Sequence, residues 1–196
     1  MSDEPDHDPT RELRALALRL SDHDWRVTWE ASQSLERAGQ AGSDVILWGL
    51  SHPDARVRRG CAGYLDHHGT DAFFPRIRSL ALHDPAAKVR YEAVHAATCQ
   101  RCKPAPLTGD LVGLLVQVAL EDPNRTVRLQ AIAGLRSQPR DARAVAALEH
   151  IVRTETDPRL RGQAHHVLKR QDPAYKARFD AEARRRGIAA AGARQR

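Results

Sequence analysis

The sequence predicts an all-α fold, a right-handed α-solenoid of about five helix pairs that ends in a C-terminal capping helix. Three observations predict it. Apolar residues recur with the period of a helix rather than with strand-like alternation. Similar segments return every 30–38 residues along the 196-residue chain. Asp-Pro and Gly signals stand where helices should begin and end.

Five segments align without gaps, and each carries the same apolar stripe. A large aliphatic residue is followed four positions later by a small residue and after another four by a second apolar residue, which is one face of a helix. We expect this stripe to form the core, with the small residue allowing close helix packing. Its members are Val27, Val57, Val89, Val127 and Leu160, then Ala31, Cys61, Ala93, Ala131 and Ala164, then Leu35, Leu65, Ala97, Leu135 and Leu168.

A more continuously apolar helix precedes each stripe, so the repeating unit is a helix pair. We expect an acidic arm over 1–9, a solenoid over 10–171, a capping helix over 172–187 and a basic flexible tail over 188–196. Within the solenoid the repeats are placed at about 10–39, 43–69, 70–102, 108–138 and 140–171. Tyr175 and Phe179, one helical turn apart, should cover the last repeat.

Polar signals at the ends of the stripes predict how its helices are capped and linked. Gly39 and Gly69 stand at helix ends. Asp54–Arg58 and Asp157–Arg161 have the favourable i, i+4 orientation, so the repeated Arg is expected to form a ladder within and between repeats, with ligand binding as the alternative. Helix starts, with Asp as the cap and Pro first in the helix, are predicted at Asp84-Pro85, Asp122-Pro123, Asp157-Pro158 and Asp172-Pro173.

The pattern D-x-x-V-R-x-x-A-x-x-x-L resembles the second helix of HEAT repeats, particularly the short bacterial HEAT-like class among armadillo-like solenoids. The resemblance covers about residues 10–170. It implies that the helix pairs stack on one another and that their second helices line a concave groove. The same architecture serves adaptors, lyase subunits, hydroxylases and glycosylases, so function must be argued from individual residues.

Composition and charge restrict the setting of the protein. No apolar run is long enough to span a membrane, and the acidic start MSDEPDHDPT is not a secretory leader. Three cysteines do not build a disulfide framework, so we expect the reducing environment of the cytoplasm. We also expect a monomer. The net charge is +6, and residues 169–196 contain nine basic and three acidic residues. Arg184, Arg185 and Arg186 are candidate anion contacts, with a solvated, frayed end as the alternative.

Catalytic residues of HEAT-like enzymes are not matched. Di-iron hydroxylases of this class use repeated His-Glu dipeptides, and none of the ten histidines here precedes Glu. HEAT-like alkylpurine DNA glycosylases pair Trp with a catalytic Asp, and no aromatic residue here has Asp four positions later. We therefore predict no enzymatic activity and no cofactor, while glycosylase and lyase-subunit activity stay open.

A metal motif is present but short of ligands. His95, Cys99 and Cys102 form H-x3-C-x2-C, and imidazole with thiolates suits zinc. A structural zinc site needs four ligands and the sequence offers no second Cys pair. Small side chains that fill a helix end are the preferred explanation of the motif, so we expect well under one metal ion per chain.

A helical wheel places three positions of each second helix opposite the core. Trp29 and Tyr91 should project from this face with Arg59 between them, which suits a protein or peptide segment that carries an acidic residue beside an apolar anchor. Trp29 packed on Trp25 is the alternative. The preferred function is a non-catalytic interaction scaffold, and a nucleic-acid binder is the second reading. The predicted groove comprises Trp29, Glu36, Arg59, Asp66, Tyr91, His95, Leu129, Arg136 and His166.

Overall fold

The computed structural model describes residues 8–99, 102–103 and 105–185, and over these residues the chain is helical without a β-strand. The all-α class is therefore confirmed, while the handedness stays a prediction. The predicted tail over 188–196 and residues 1–7 of the predicted arm lie outside the described residues. The helices are α1 (Pro9–Arg19), α2 (Trp25–Arg37), α3 (Gln40–Gly49), α4 (Ala55–His68), α5 (Phe74–His83), α6 (Ala87–Thr98), α7 (Leu111–Glu121), α8 (Arg125–Leu135), α9 (Ala142–Thr154), α10 (Pro158–Gln171) and α11 (Pro173–Arg185).

The chain forms two compact units that divide after residue 111. In the first unit α1 packs against α2 and α3, and α6 packs against α4 and α5. In the second unit α10 packs against α8, α9 and α11. The contacts of α4 with α6 and of α8 with α10 join the second helices of successive pairs, which is the packing that stacked repeats require.

The predicted stripe forms the core of both units. All five small residues at its centre, such as Ala31 and Ala131, are fully buried, and so is every large residue of the third position. Val57, Val89, Val127 and Leu160 are also buried. Val27 is the exception because it is only half-buried. It lies on α2, the first of the stripe helices along the described chain.

Helix starts were predicted correctly at two of the four Asp-Pro sites. Asp157 caps α10 and accepts a hydrogen bond from the Arg159 amide at 2.8 Å, and α11 begins at Pro173 after Asp172. The predicted caps Asp84 and Asp122 are wrong, because α6 begins at Ala87 and α8 at Arg125. Both carboxylates instead accept an amide hydrogen bond within the turn, from Ala86 at 2.9 Å and from Asn124 at 2.7 Å.

The repeated Arg links successive helix pairs, as the ladder prediction requires. Arg58 of α4 donates two hydrogen bonds to the Asp84 carboxylate, at 2.6 and 2.9 Å, and two more to the carbonyls of His52 and Pro53. Arg128 of α8 pairs with Glu155, which lies after α9. The expected i, i+4 pairs are wrong: the Asp54 side chain binds the Arg56 guanidinium at 3.0 Å rather than Arg58, and the Asp157 carboxylate binds Arg125 rather than Arg161.

Helix α11 lies where a capping helix was predicted and packs against α10. The Tyr175 hydroxyl lies 2.8 Å from His165 Nδ1, and the Phe179 ring meets the same imidazole edge-on at 4.5 Å. The Lys169 ammonium lies 4.8 Å from the centre of the Phe179 ring. Tyr175 and Phe179 therefore both face the last stripe helix, and Phe179 keeps 38% of its surface exposed.

The described helices include none that is both long and apolar enough to cross a membrane.

Candidate interaction surface

Helix α2 presents two large aromatic side chains to solvent. Asp24 caps the helix by accepting a hydrogen bond from the Arg26 amide at 2.9 Å, so Trp25 is the first helical residue and Trp29 lies one turn later. Trp25 is 68% exposed and Trp29 is 59% exposed. Large exposed aromatic residues on a rigid helix are typical anchors of protein interfaces.

A surface depression of about 460 Å³ lies beside Trp29. Its charges are unbalanced. Arg19 reaches across from α1 and pairs with Glu30 at 3.4 Å, whereas the Arg37 guanidinium bonds only the Gln33 carbonyl and the Ser34 hydroxyl among the described residues. The Arg37 charge therefore has no carboxylate partner in the described chain. The lining residues are Arg19, Trp29, Glu30, Gln33, Ser34 and Arg37.

Trp25 and Arg37 were not among the predicted groove residues. Both belong to the i, i+4 row that runs through Trp29 and Gln33 on the outside of α2. The i, i+4 spacing of this row is visible in the sequence, but Trp25 was predicted only as a packing partner for Trp29. Since both Trp rings stay more than half exposed, packing of one on the other does not hide either of them.

Arg59 and Tyr91, the other predicted anchors of the first unit, are less available than expected. The Arg59 guanidinium lies 3.4 Å from the Glu92 carboxylate of α6, so it has an acidic partner within the chain. Tyr91 is half-buried. The arrangement of Arg59 between Trp29 and Tyr91 on a single face stays a prediction.

Glu36 lies near a small polar junction between α2 and α4. His68 Nδ1 is 3.6 Å from the Glu36 carboxylate, and His68 Nε2 is 3.2 Å from the Ser32 hydroxyl. The imidazole stacks on Tyr64 with ring centres 4.4 Å apart. Burial lowers the pKa of His68. Burial also raises the pKa of Tyr64 to about 12, and the nearby Glu36 carboxylate adds a smaller effect in the same direction. This junction holds two helices together and leaves Glu36 exposed beside it.

Asp66 and His95 lie together, although not on an open surface. Asp66 was expected to be exposed, but only 8% of its surface is accessible. His95 Nε2 and His67 Nε2 lie 3.5 and 3.6 Å from Asp66 Oδ2. Cys99 and Cys102, the two thiols of the H-x3-C-x2-C motif, lie beside the same carboxylate. The structure thus brings the predicted metal candidates together with two residues of the preceding repeat.

The predicted residues of the second unit lie on its described helices. On α8 Leu129 is half-buried, while Arg136, just after it, is exposed and its carbonyl accepts a hydrogen bond from Arg170 at 3.0 Å. His166 on α10 is exposed. Of the candidate anion contacts, Arg184 and Arg185 are exposed in the last turn of α11, and Arg186 lies outside the described residues.

The chain was compared with known sequences and structures. No curated protein sequence matches it. The crystal structure of an engineered protein from the Northeast Structural Genomics Consortium is similar at 18% identity and a TM-score of 0.48, over 93% of this chain and 88% of that one. The profile of the HEAT-repeat family matches residues 10–98. The matched range contains α2 to α6 and α1 apart from Pro9, so this part of the chain is similar to HEAT repeats.

Proposed function

We propose that the chain is a non-catalytic scaffold that binds a protein segment on the outer row of α2. The observation that supports this most directly is the exposure of Trp25 and Trp29 on one helix. Transfer of an exposed indole into an interface removes a large apolar surface from water, and such residues commonly dominate the binding energy. HEAT-repeat folds also provide rigid, pre-formed surfaces for partners.

The chemistry of the row defines the partner segment. Trp29 offers an apolar contact, and Arg37 lies two turns further along the same row and has no carboxylate partner among the described residues. A segment with an apolar side chain followed about two helical turns later by Asp or Glu would satisfy both. A helical segment fits this spacing because residues four apart share a face.

Selection from a random peptide library on the untagged full chain, with counter-selection on Trp29→Ala, tests the proposal. We expect enriched peptides with an acidic residue near an apolar anchor. Their affinity should fall about 30-fold in Trp29→Ala, which corresponds to a hot spot of about 2 kcal/mol. Arg37→Glu should weaken the same peptides, because it places a negative charge opposite their carboxylate.

Arg153→Glu is the matched control for charge, since Arg153 is exposed in the last turn of α9 as Arg37 is in the last turn of α2. It should leave peptide binding unchanged. Equal losses in Arg37→Glu and Arg153→Glu would contradict a specific contact on α2.

Nucleic-acid binding through the basic end is the competing outcome. The test is binding of duplex DNA. The scaffold proposal would be replaced if this binding fell steeply with salt, were lost in the Arg184/Arg185/Arg186→Ala variant and were unchanged in Trp29→Ala.

A further inference from the structure

The cluster around Asp66 contains more metal-binding groups than the sequence motif alone. Asp66 and His67 come from the end of α4, His95 and Cys99 from the end of α6, and Cys102 from the segment that follows. These residues form two sets of three that share Asp66. In the first set, the potential ligand atoms of Asp66, His67 and Cys102 lie within 4.8 Å of one another. The same holds for Asp66, His95 and Cys99 in the second set. The fourth ligand that the sequence lacked is thus supplied by the neighbouring repeat.

The distances inside the cluster fit a shared metal ion better than a hydrogen bond. A zinc ion about 2.1 Å from a nitrogen and an oxygen ligand in tetrahedral geometry holds the two ligands about 3.4 Å apart. His95 Nε2 and Asp66 Oδ2 are 3.5 Å apart. A hydrogen bond between an imidazole and a carboxylate is about 2.7–3.2 Å long. The imidazole is therefore already at the spacing of two zinc ligands.

Asp66 also has a buried carboxylate oxygen that lacks a hydrogen bond. Among the described residues no group donates a hydrogen bond to Asp66 Oδ1. The nearest cation, the Lys103 ammonium, lies 4.0 Å away and donates its hydrogen bonds to the carbonyls of Asp66 and Cys99 instead. A carboxylate oxygen that is buried without a donor is costly unless a cation binds it.

Lys103 fixes the thiols beside this carboxylate. Its hydrogen bonds of 3.0 Å to the Asp66 carbonyl and 3.1 Å to the Cys99 carbonyl join the segment after α6 to the end of α4. Each of the two thiols, Cys99 and Cys102, lies within 4.8 Å of a carboxylate oxygen of Asp66. Cys102 is exposed, which leaves a route for an ion from solvent.

We propose that Asp66, His95, Cys99 and Cys102 bind one zinc ion, with His67 beside the same carboxylate oxygen. Two thiolates, one carboxylate and the Lys103 ammonium add up to a charge of about −2, which a divalent ion neutralises. Thiolate and imidazole ligands favour zinc over calcium and magnesium, which prefer oxygen. The ion would join the ends of α4 and α6 and so stabilise the contact between two successive repeats. The proposal reverses the expectation from sequence, which counted three ligands.

Cobalt substitution tests the site directly. The untagged full chain, freed of metal and kept reduced, is titrated with Co²⁺ and then with Zn²⁺. We expect one Co²⁺ per chain with thiolate-to-cobalt charge-transfer absorption and the intense visible bands of a tetrahedral complex, and loss of both when Zn²⁺ is added. Exposed histidines elsewhere in the chain do not produce thiolate absorption, so this signal reports only on the cysteines.

Matched variants separate the ligands from their surroundings. Cys99→Ser, Cys102→Ser, His95→Ala and Asp66→Asn should each weaken zinc binding by more than about 100-fold, beyond the 10–100-fold cost of losing a supporting group. His67→Ala should cost less than each of these. Cys61→Ala should bind as the unchanged chain does, because Cys61 is the remaining cysteine and lies in the core stripe.

A melting experiment guards against variants that fail to fold. Without metal, Cys99→Ser should melt close to the unchanged chain, and zinc should raise the melting temperature only of proteins that keep all four ligands. The proposal is overturned if the unchanged chain gives no thiolate absorption with Co²⁺. It is equally overturned if Cys99→Ser and Cys61→Ala bind the ion alike.

Discussion

Substitution of Asp84 by Ala is the most severe test of the Arg ladder. The Asp84 side chain is 2% exposed and the Arg58 side chain is 11% exposed. Asp84 accepts two hydrogen bonds from Arg58, which raise the pKa of Arg58, and a third from the Ala86 amide. The substitution removes all three at once and leaves a largely buried guanidinium with only the weaker electrostatic interaction with Asp54.

The expected cost follows from this burial. Removal of one member of a buried ion pair costs about 3–5 kcal/mol, because the remaining charge is uncompensated. Arg58 keeps two carbonyl acceptors, those of His52 and Pro53 at 2.8 Å each, so its guanidinium is not left without hydrogen bonds. We therefore expect the lower end, about 3 kcal/mol, or a fall of roughly 6–12 °C in melting temperature for a chain of this size.

Thermal melting and hydrogen exchange together provide the assay. Exchange should quicken first in α4 and around the turn between α5 and α6, which the Arg58–Asp84 pair joins, because repeat proteins lose structure locally. Arg56→Ala is the control: Arg56 pairs with Asp54 at 3.0 Å, but its side chain is 77% exposed, and exposed pairs contribute little. Equal effects of Asp84→Ala and Arg56→Ala would refute the reasoning.

Three further changes test the packing and the electrostatics. A Cβ on Gly60 would lie 2.5 Å from the Leu20 carbonyl oxygen, so Gly60→Ala should destabilise the fold by about 1–3 kcal/mol in urea unfolding. A Cβ on Gly162 would meet no atom within 4 Å, so Gly162→Ala should stabilise the helix by up to about 1 kcal/mol. The opposite order of stabilities would contradict the packing. Ala131→Leu at a fully buried position should cost about 1–3 kcal/mol, and unchanged melting would show the stripe to be loosely packed. Burial lowers the pKa of His165 from 6.5, so the unfolded chain binds a proton at a higher pH than the folded chain does. The free energy of unfolding should therefore fall as the pH drops below about 6.5. His165→Gln should make this pH dependence shallower, and an unchanged dependence would contradict the argument.

The helical core could be predicted from the sequence because it depends on residues close to one another in the chain. The stripe of an aliphatic, a small and a second apolar residue specifies one helix face regardless of what packs on it. Val27 deviates because periodicity assigns a residue to one face of a helix but does not specify how much of its surface neighbouring helices cover.

The failed predictions are those that depended on competition between nearby and distant partners. Asp84 has the sequence context of an N-cap, but Arg58, 26 residues earlier, takes both of its carboxylate oxygens. In the same way Asp157 stands four residues before Arg161 and binds Arg125 instead. An i, i+4 ion pair on a helix contributes only a few tenths of a kcal/mol to stability. An ion pair with a better-aligned or less exposed partner elsewhere in the chain contributes more and therefore forms instead.

The cluster at Asp66 shows what a single helical wheel omits. The wheel put Asp66 of α4 and His95 of α6 on the face opposite the core, and in the structure the two side chains lie 3.5 Å apart. It could not include the segment after α6, where Lys103 donates to the Asp66 carbonyl and so holds Cys102 over the end of α4. Asp66, which the wheel placed on an exposed face, is buried in the structure. Repeat register thus places Asp66 and His95 of successive repeats side by side, and Lys103 joins the ends of α4 and α6 through its hydrogen bonds to the Asp66 and Cys99 carbonyls.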